Sequence, residues 1–172
     1  MATNGDAPRG IEQTVWRIDA ARSSVEFEVP AAWGLQKVKG QFDRYDGTLD
    51  LRRDPAIELT IDADSVSTNN ARRDKHLRSD DFLGVDAHPV VLFTSDAATL
   101  DGDHMTVTGK LRAGGGSEPL KLVATVRPVG SELEIEAVGE VDQRLLGMTY
   151  RAMGLVGSPT KLAVRGRLVA GS

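Results

Sequence analysis

From Val15 onward, apolar and polar residues alternate nearly one for one. That period of two constrains the chain more than any other feature, because an extended strand places successive side chains on opposite faces. In "SVEFEV", Val25, Phe27 and Val29 fall on one side; in "AIELTIDA", Ile57, Leu59, Ile61 and Ala63 do, with Glu58, Thr60 and Asp62 opposite. The pattern returns with Met105, Val107 and Leu111, with Leu120, Leu122, Ala124 and Val126, with Leu133, Ile135, Ala137 and Val141, and with Leu162, Val164 and Leu168. Between these runs lie "YDGT", "RRDP", "LDGDH", "AGGGSEP" and "PVGSE", whose Gly, Asp and Pro content predicts hairpin turns. The chain therefore reads as all-β. So many one-faced strands, with few helices to cover a sheet, bury their apolar sides in a sandwich or a closed barrel. A single antiparallel barrel of about eight strands is the expectation.

Four of the strands carry an inward glycine: "VKGQF" (Gly40), "VTGKL" (Gly109), "AVGEV" (Gly139) and "VRGRL" (Gly166). Glycine weakens a strand interior, so its recurrence asks for a cause. One reading is curvature, since closed barrels need tight bends. The other is space, since an eight-stranded barrel is just wide enough to pack its interior or to hold one small ligand.

Composition narrows the function. The 172 residues include 40% hydrophobic and 5% aromatic residues, ordinary for one globular domain. The formal net charge is -4 and the basic residues form no long stripe, which argues against nucleic acid as a partner. With no cysteine, thiolate nucleophiles, thiolate metal sites and disulfides are excluded. His76, His88 and His104 lack a metal-binding spacing, and Asp62/Asp64 and Asp101/Asp103 lack the other ligands of a calcium loop. No metal or cofactor is expected. Neither a nucleophile elbow nor a phosphate-cradling loop occurs, so the chain reads as a non-enzyme. Residues 1–13 read as a flexible lead-in and 14–170 as the domain. No secretory signal or membrane-spanning run is present in these residues, so a soluble, cytoplasmic protein is expected.

One stretch breaks the alternation: "STNNARRDKHLRSDDFLGVDAHP", residues 67–89. Asn70 suits a helix N-cap, Gly84 a helix end, and Asp74 and Arg78 stand at the supportive i, i+4 spacing. A short helix near residues 71–83 is predicted, with its charges forming a solvated face and Leu77 and Phe82 tethering it to the barrel.

In this stretch the chain resembles the YceI-like family of polyisoprenoid-binding proteins, which have a lipocalin-like barrel. Thr68, Arg73, Asp74, Leu77, Arg78, Asp81, Phe82, Pro89, Phe93 and Ser95 fall at the family's spacing. "WRIDAARSSVEFEV", "VKGQFDRYDGTLDL" and "VTGKLRAGGGSEPLKL" are similar to its other segments, so the resemblance runs from Trp16 to Val169. It implies a soluble carrier whose lumen holds a long-chain isoprenoid lipid, a polyprenyl or an isoprenoid quinone, with transient membrane contact for lipid exchange. It brings no catalytic residue. The lumen walls would be Val25, Phe27, Phe42, Ile57, Leu59, Ile61, Phe93, Val107, Leu122, Ile135 and Val164, with Gly109 and Gly139 leaving room. "QRLLGMTYRAMGLVG" would supply an apolar flap at the mouth through Leu146, Met148, Tyr150 and Met153, beside Leu77 and Phe82. Two alternatives stand beside the carrier. One is an enzyme acting on a small apolar substrate through Arg73, Asp74 or His76. The other is a stress-response or interaction module with a packed barrel, presenting the charged helix to a partner. A homodimer is compatible with each.

Overall fold

The computed structural model describes residues 14–31, 36–52, 54–142 and 160–171. Eleven strand segments form one sheet: β1 (Val15–Ile18), β2 (Ser24–Ala31), β3 (Gln36–Phe42), β4 (Tyr45–Asp50), β5 (Ala56–Asp62), β6 (Val66–Ser67), β7 (Val90–Asp101), β8 (His104–Ala113), β9 (Gly116–Val129), β10 (Glu132–Val141) and β11 (Thr160–Ala170). A helix, α1 (Ala71–Arg78), lies between β6 and β7. β7 to β11 form the meander read from the sequence, each strand paired antiparallel with the next. The sheet closes because β1 pairs with β4 on one side and with the end of β11 on the other.

The eleven segments amount to eight strands, since three strands are each bent in two. β1 and β2 are consecutive along one edge of β11, which meets β2 through Lys161–Arg165 and β1 through Leu168–Ala170. β3 and β4 pair with β2 and β1 respectively, and β5 and β6 with β4 and β3. The result is a closed, eight-stranded antiparallel barrel. Serine hydroxyls fasten its corners. The Ser65 hydroxyl accepts hydrogen bonds from the backbone N–H groups of Asp43 and Arg44, 3.1 and 3.0 Å away, and donates to the Asp62 carbonyl at 2.7 Å. One side chain thus ties the β3–β4 bend to the β5–β6 bend. Ser23 does the same at the β1–β2 bend, donating to the Asp19 carbonyl and accepting from the Arg167 N–H. Ser95 stands at the bulge in β7 and accepts from the Ile57 N–H. These hydroxyls satisfy backbone donors that the interrupted ladder leaves over.

Two sequence expectations need correction. "YDGT" is not a turn: Tyr45–Asp50 is a strand with alternating burial, and β3 and β4 do not form a hairpin. Asp46 faces outward and binds Arg17 through two hydrogen bonds, while Gly47 sits on the inner side against Leu59. Both residues serve the strand. The helix is also shorter than the range 71–83. It stops at Ser79, which is extended and whose hydroxyl donates to the His76 carbonyl. Irregular turns follow through Gly84, which has φ +56°. A straight continuation could not bury Leu77, Phe82 and Leu83 together, and all three belong to the core.

The face of α1 likewise departs from expectation. Asn70 does cap the helix, accepting from the Arg73 N–H. Asp74, however, is 8% exposed and accepts from the Thr68 N–H at 2.8 Å and the Thr68 hydroxyl at 2.6 Å. Arg73 donates to the Thr68 hydroxyl and carbonyl. Arg78 turns away from Asp74, donating to the carbonyls of Asp64 and Val66. β6 pairs with β3 on one side, and these helix side chains occupy hydrogen-bonding groups beside its other edge. Arg73, Asp74 and Arg78 close a gap in the barrel wall, while Arg72 and Lys75 stay exposed, so the solvated face is only part of the charge run.

Candidate functional site

The barrel interior is the site that the sequence pattern builds. Inward residues of β2, β3, β5, β7, β8, β9, β10 and β11, together with Val66, Phe82 and Leu83, line a cavity of about 100 Å³. Apart from Glu26 and Thr160, every residue bordering it is apolar. Glu26 lies between Val25 and Phe27 and is exposed, so its carboxylate belongs to the outer face. Thr160, the first residue of β11, is buried at the rim. A second apolar hollow of about 50 Å³ lies deeper, between Ile18, Leu49, Ile57, Ile135 and Leu168. A wider hollow of about 670 Å³ is lined by Glu28, Lys39, Gln41, Glu140, Lys161 and Arg165. These are outward side chains, so that hollow is a charged surface groove.

Of the residues expected in the lumen, Val25, Phe27, Phe42, Leu59, Ile61, Phe93, Leu122 and Val164 border the upper cavity. Ile57 and Ile135 border the lower one. Val107, Gly109 and Gly139 do not border either. Val107 is fully buried in the packed wall. The glycines are covered by their neighbours: a Cβ on Gly109 would collide with the Thr94 carbonyl and lie 2.8 Å from Ser95 Cα and 2.9 Å from Phe93 Cζ. On Gly139 it would lie 2.7 Å from Leu122 Cδ2 and 2.8 Å from the Lys121 carbonyl. Gly40 is roofed by the ring of its cross-strand partner Phe27, with Cε1 2.8 Å from an added Cβ. Gly166 is occupied in the same way by Ser23. The glycines therefore admit neighbouring side chains and backbone. The space they leave is filled by protein.

Phe82 borders the upper cavity and Leu77 is buried beside it in the core. Leu146, Met148, Tyr150 and Met153 lie outside the described residues. The site list read from the sequence also missed Val29, Val91, Leu111, Leu120, Val141 and Leu162, which border the cavity. Several of these stood at inward positions in the alternating runs. What the sequence withheld was their height along the barrel. No group of three or more metal-ligating side chains occurs among the described residues, and among them no helix is long and apolar enough to cross a membrane.

A sequence profile described as the YceI-like domain matches residues 16–168. The chain belongs to the YceI-like family. Among its relatives, a UPF0312 protein of Pectobacterium atrosepticum is 38% identical over 112 residues, covering 63% of this chain and 58% of the relative. Protein YceI of Escherichia coli O157:H7 is 39% identical over 103 residues, 58% of this chain and 54% of the relative. The chain spans little more than half the length of these curated relatives. Among solved structures, Burkholderia cenocepacia BcnA superposes with a TM-score of 0.78 at 18% identity, covering 88% of this chain and 99% of that one. A polyisoprenoid binding domain from Saccharophagus degradans, implicated in plant cell wall breakdown, superposes with a TM-score of 0.74 at 13% identity, covering 92% and 99%. At such identities these likenesses establish the lipocalin-like barrel fold of the family.

Proposed function

We propose that this chain is a soluble binding protein for a long-chain isoprenoid lipid, a polyprenyl or an isoprenoid quinone, whose chain lies in the barrel lumen. The observation that carries this reading is the lumen cavity with its near-continuous apolar wall. An apolar chain gains about 0.8 kcal/mol for each methylene removed from water, and a wall without charged groups asks it for no desolvated partner. The polyisoprenoid binding recorded for the similar domain of Saccharophagus degradans supports the same ligand class. Since a membrane offers the lipid a comparable gain, such a protein acts as a carrier or buffer that exchanges lipid through transient membrane contact. This reading assigns the lumen no catalytic role and no cofactor.

Organic extraction of protein purified from cells, followed by mass spectrometry, tests the proposal. A long-chain isoprenoid in stoichiometric amount is the expected result. Recovery of none, together with no uptake of added prenyl quinone by the extracted protein, would favour a packed barrel acting as an interaction module.

A further inference from the structure

Resting on the binding role proposed above, we infer that a waist in the lumen sets how many units of the isoprenoid chain lie inside the barrel, with Phe93 as its deciding residue. The upper and lower cavities have four bordering residues in common: Leu59, Phe93, Leu122 and Val164. They stand at one level. Leu59 on β5 and Phe93 on β7 are direct cross-strand partners, while Leu122 on β9 and Val164 on β11 lie farther around the ring. Val164 is four residues from Thr160 at the rim and four from Leu168 beside the lower cavity. At ~3.3 Å per residue, each interval is ~13 Å along the strand. The waist therefore divides the lumen midway.

Phe93 is the largest of the four side chains and is 2% exposed. Its ring rests against Gly109, where an added Cβ would come within 2.9 Å of Cζ. The inward glycine on β8 gives the ring a fixed seat in the wall, and the aromatic occupies the level where the two cavities meet. Below it the lumen is again apolar and narrower, with about 50 Å³ between the walls, and Leu49 and Leu133 are fully packed toward that end. A chain held in the upper cavity lies against Leu59, Phe93, Leu122 and Val164. To go deeper it must pass Phe93. Chain units below the waist can contribute to affinity only when the ring yields or is reduced.

The test is a chain-length series of geraniol, farnesol and geranylgeraniol, titrated by displacement of cis-parinaric acid from the full chain and from Phe93→Leu and Leu122→Val. Each newly buried methylene adds about fourfold in affinity. In the parent protein, affinity should therefore rise over the shorter alcohols and level off at geranylgeraniol. In Phe93→Leu the rise should continue, with at least a tenfold gain for geranylgeraniol and little change for geraniol. Leu122→Val removes bulk at the same level and carries the test if Phe93→Leu does not fold. An unchanged chain-length profile in a folded variant that still binds the shorter alcohols would overturn the waist as a ruler. Failure of the parent protein to bind any of the three would instead overturn the binding role, and this inference with it.

Discussion

The inward glycines show how a single missing side chain is used. Phe93 is seated against Gly109 and Phe27 against Gly40, so in both places an aromatic ring on a neighbouring strand takes the volume that a Cβ would need. Gly109 faces the additional obstacle of backbone, because Thr94 and Ser95 of the bulged β7 press against it. Backbone cannot rotate aside as a side-chain tip can. Gly109→Ala should therefore cost at least the ~1–3 kcal/mol typical of overpacking. Gly130→Ala, where φ is +62° and nothing lies within 4 Å of an added Cβ, should cost only the ~1–2 kcal/mol of a left-handed residue. Denaturant titration of the two variants checks the ranking. Equal losses would show that β7 shifts readily to admit a Cβ and that close approach is not what retains Gly109. The glycines were visible in the sequence, but their purpose was not. A period-two pattern tells which face a residue takes and leaves open which residue lies opposite, and the opposite residue decides whether a gap is lumen or seat.

At the scale of elements, α1 and the loop after it fill the one place where β6 and β7 leave the ladder. β6 is two residues long, too short to continue the pairing that β5 makes with β7. Thr68, Arg73, Asp74 and Arg78 supply side-chain hydrogen bonds there. Asp74→Ala would remove the acceptor of the Thr68 N–H and hydroxyl in a buried setting. Hydrogen bonds to a charged group are worth ~1.5–3 kcal/mol, and an orphaned buried donor adds its desolvation cost. A loss of ~2–4 kcal/mol is expected on that basis, against at most ~1 kcal/mol for Asp46→Ala in the exposed pair with Arg17. Urea unfolding measures both, and parity between them would return α1 to the solvated face that its charge pattern suggested. That pattern misled for an identifiable reason. The i, i+4 rule describes a helix alone, and here Asp74 binds the strand end before the helix while Arg78 reaches back to β5–β6 carbonyls. Strands β2, β3, β5 and β8 to β11, the hairpins after β4, β7, β8 and β9, and the N-cap Asn70 were legible because their causes are local. The bends at Ser23 and Ser65 were not, because each depends on a segment distant in sequence.

For the whole molecule, closure depends on a short β1 that joins the two ends of the domain, pairing Trp16 with Ala170 and Ile18 with Leu168. The adjoining corner carries an ion-pair network across the same seam. Asp19 caps the turn at Ala20–Arg22 and binds the Arg22 guanidinium, which also forms two hydrogen bonds to Glu132 at the start of β10. Hydrogen bonding to Arg22 holds the carboxyl groups of both Asp19 and Glu132 below their ordinary range, and the two acids raise Arg22 in turn. The sign follows from linkage. A carboxylate whose folded pKa is depressed contributes stability that is fully present above its unfolded pKa, ~3.9 for Asp and ~4.3 for Glu, and is lost as pH falls through the folded value. Since all three side chains are partly exposed, the contribution is moderated by solvent and salt. This corner's contribution should thus be nearly flat from neutral pH to about 5 and decline below, with protons taken up on unfolding. In Glu132→Gln the neutral side chain can still accept from Arg22 but no longer titrates. That variant should be somewhat less stable at neutral pH and should show a shallower acid limb, so its denaturation midpoint converges on the parent's as pH falls. Parallel curves for the two proteins across the carboxylate range would remove Glu132 from the acid response and with it the corner's part in holding the barrel closed.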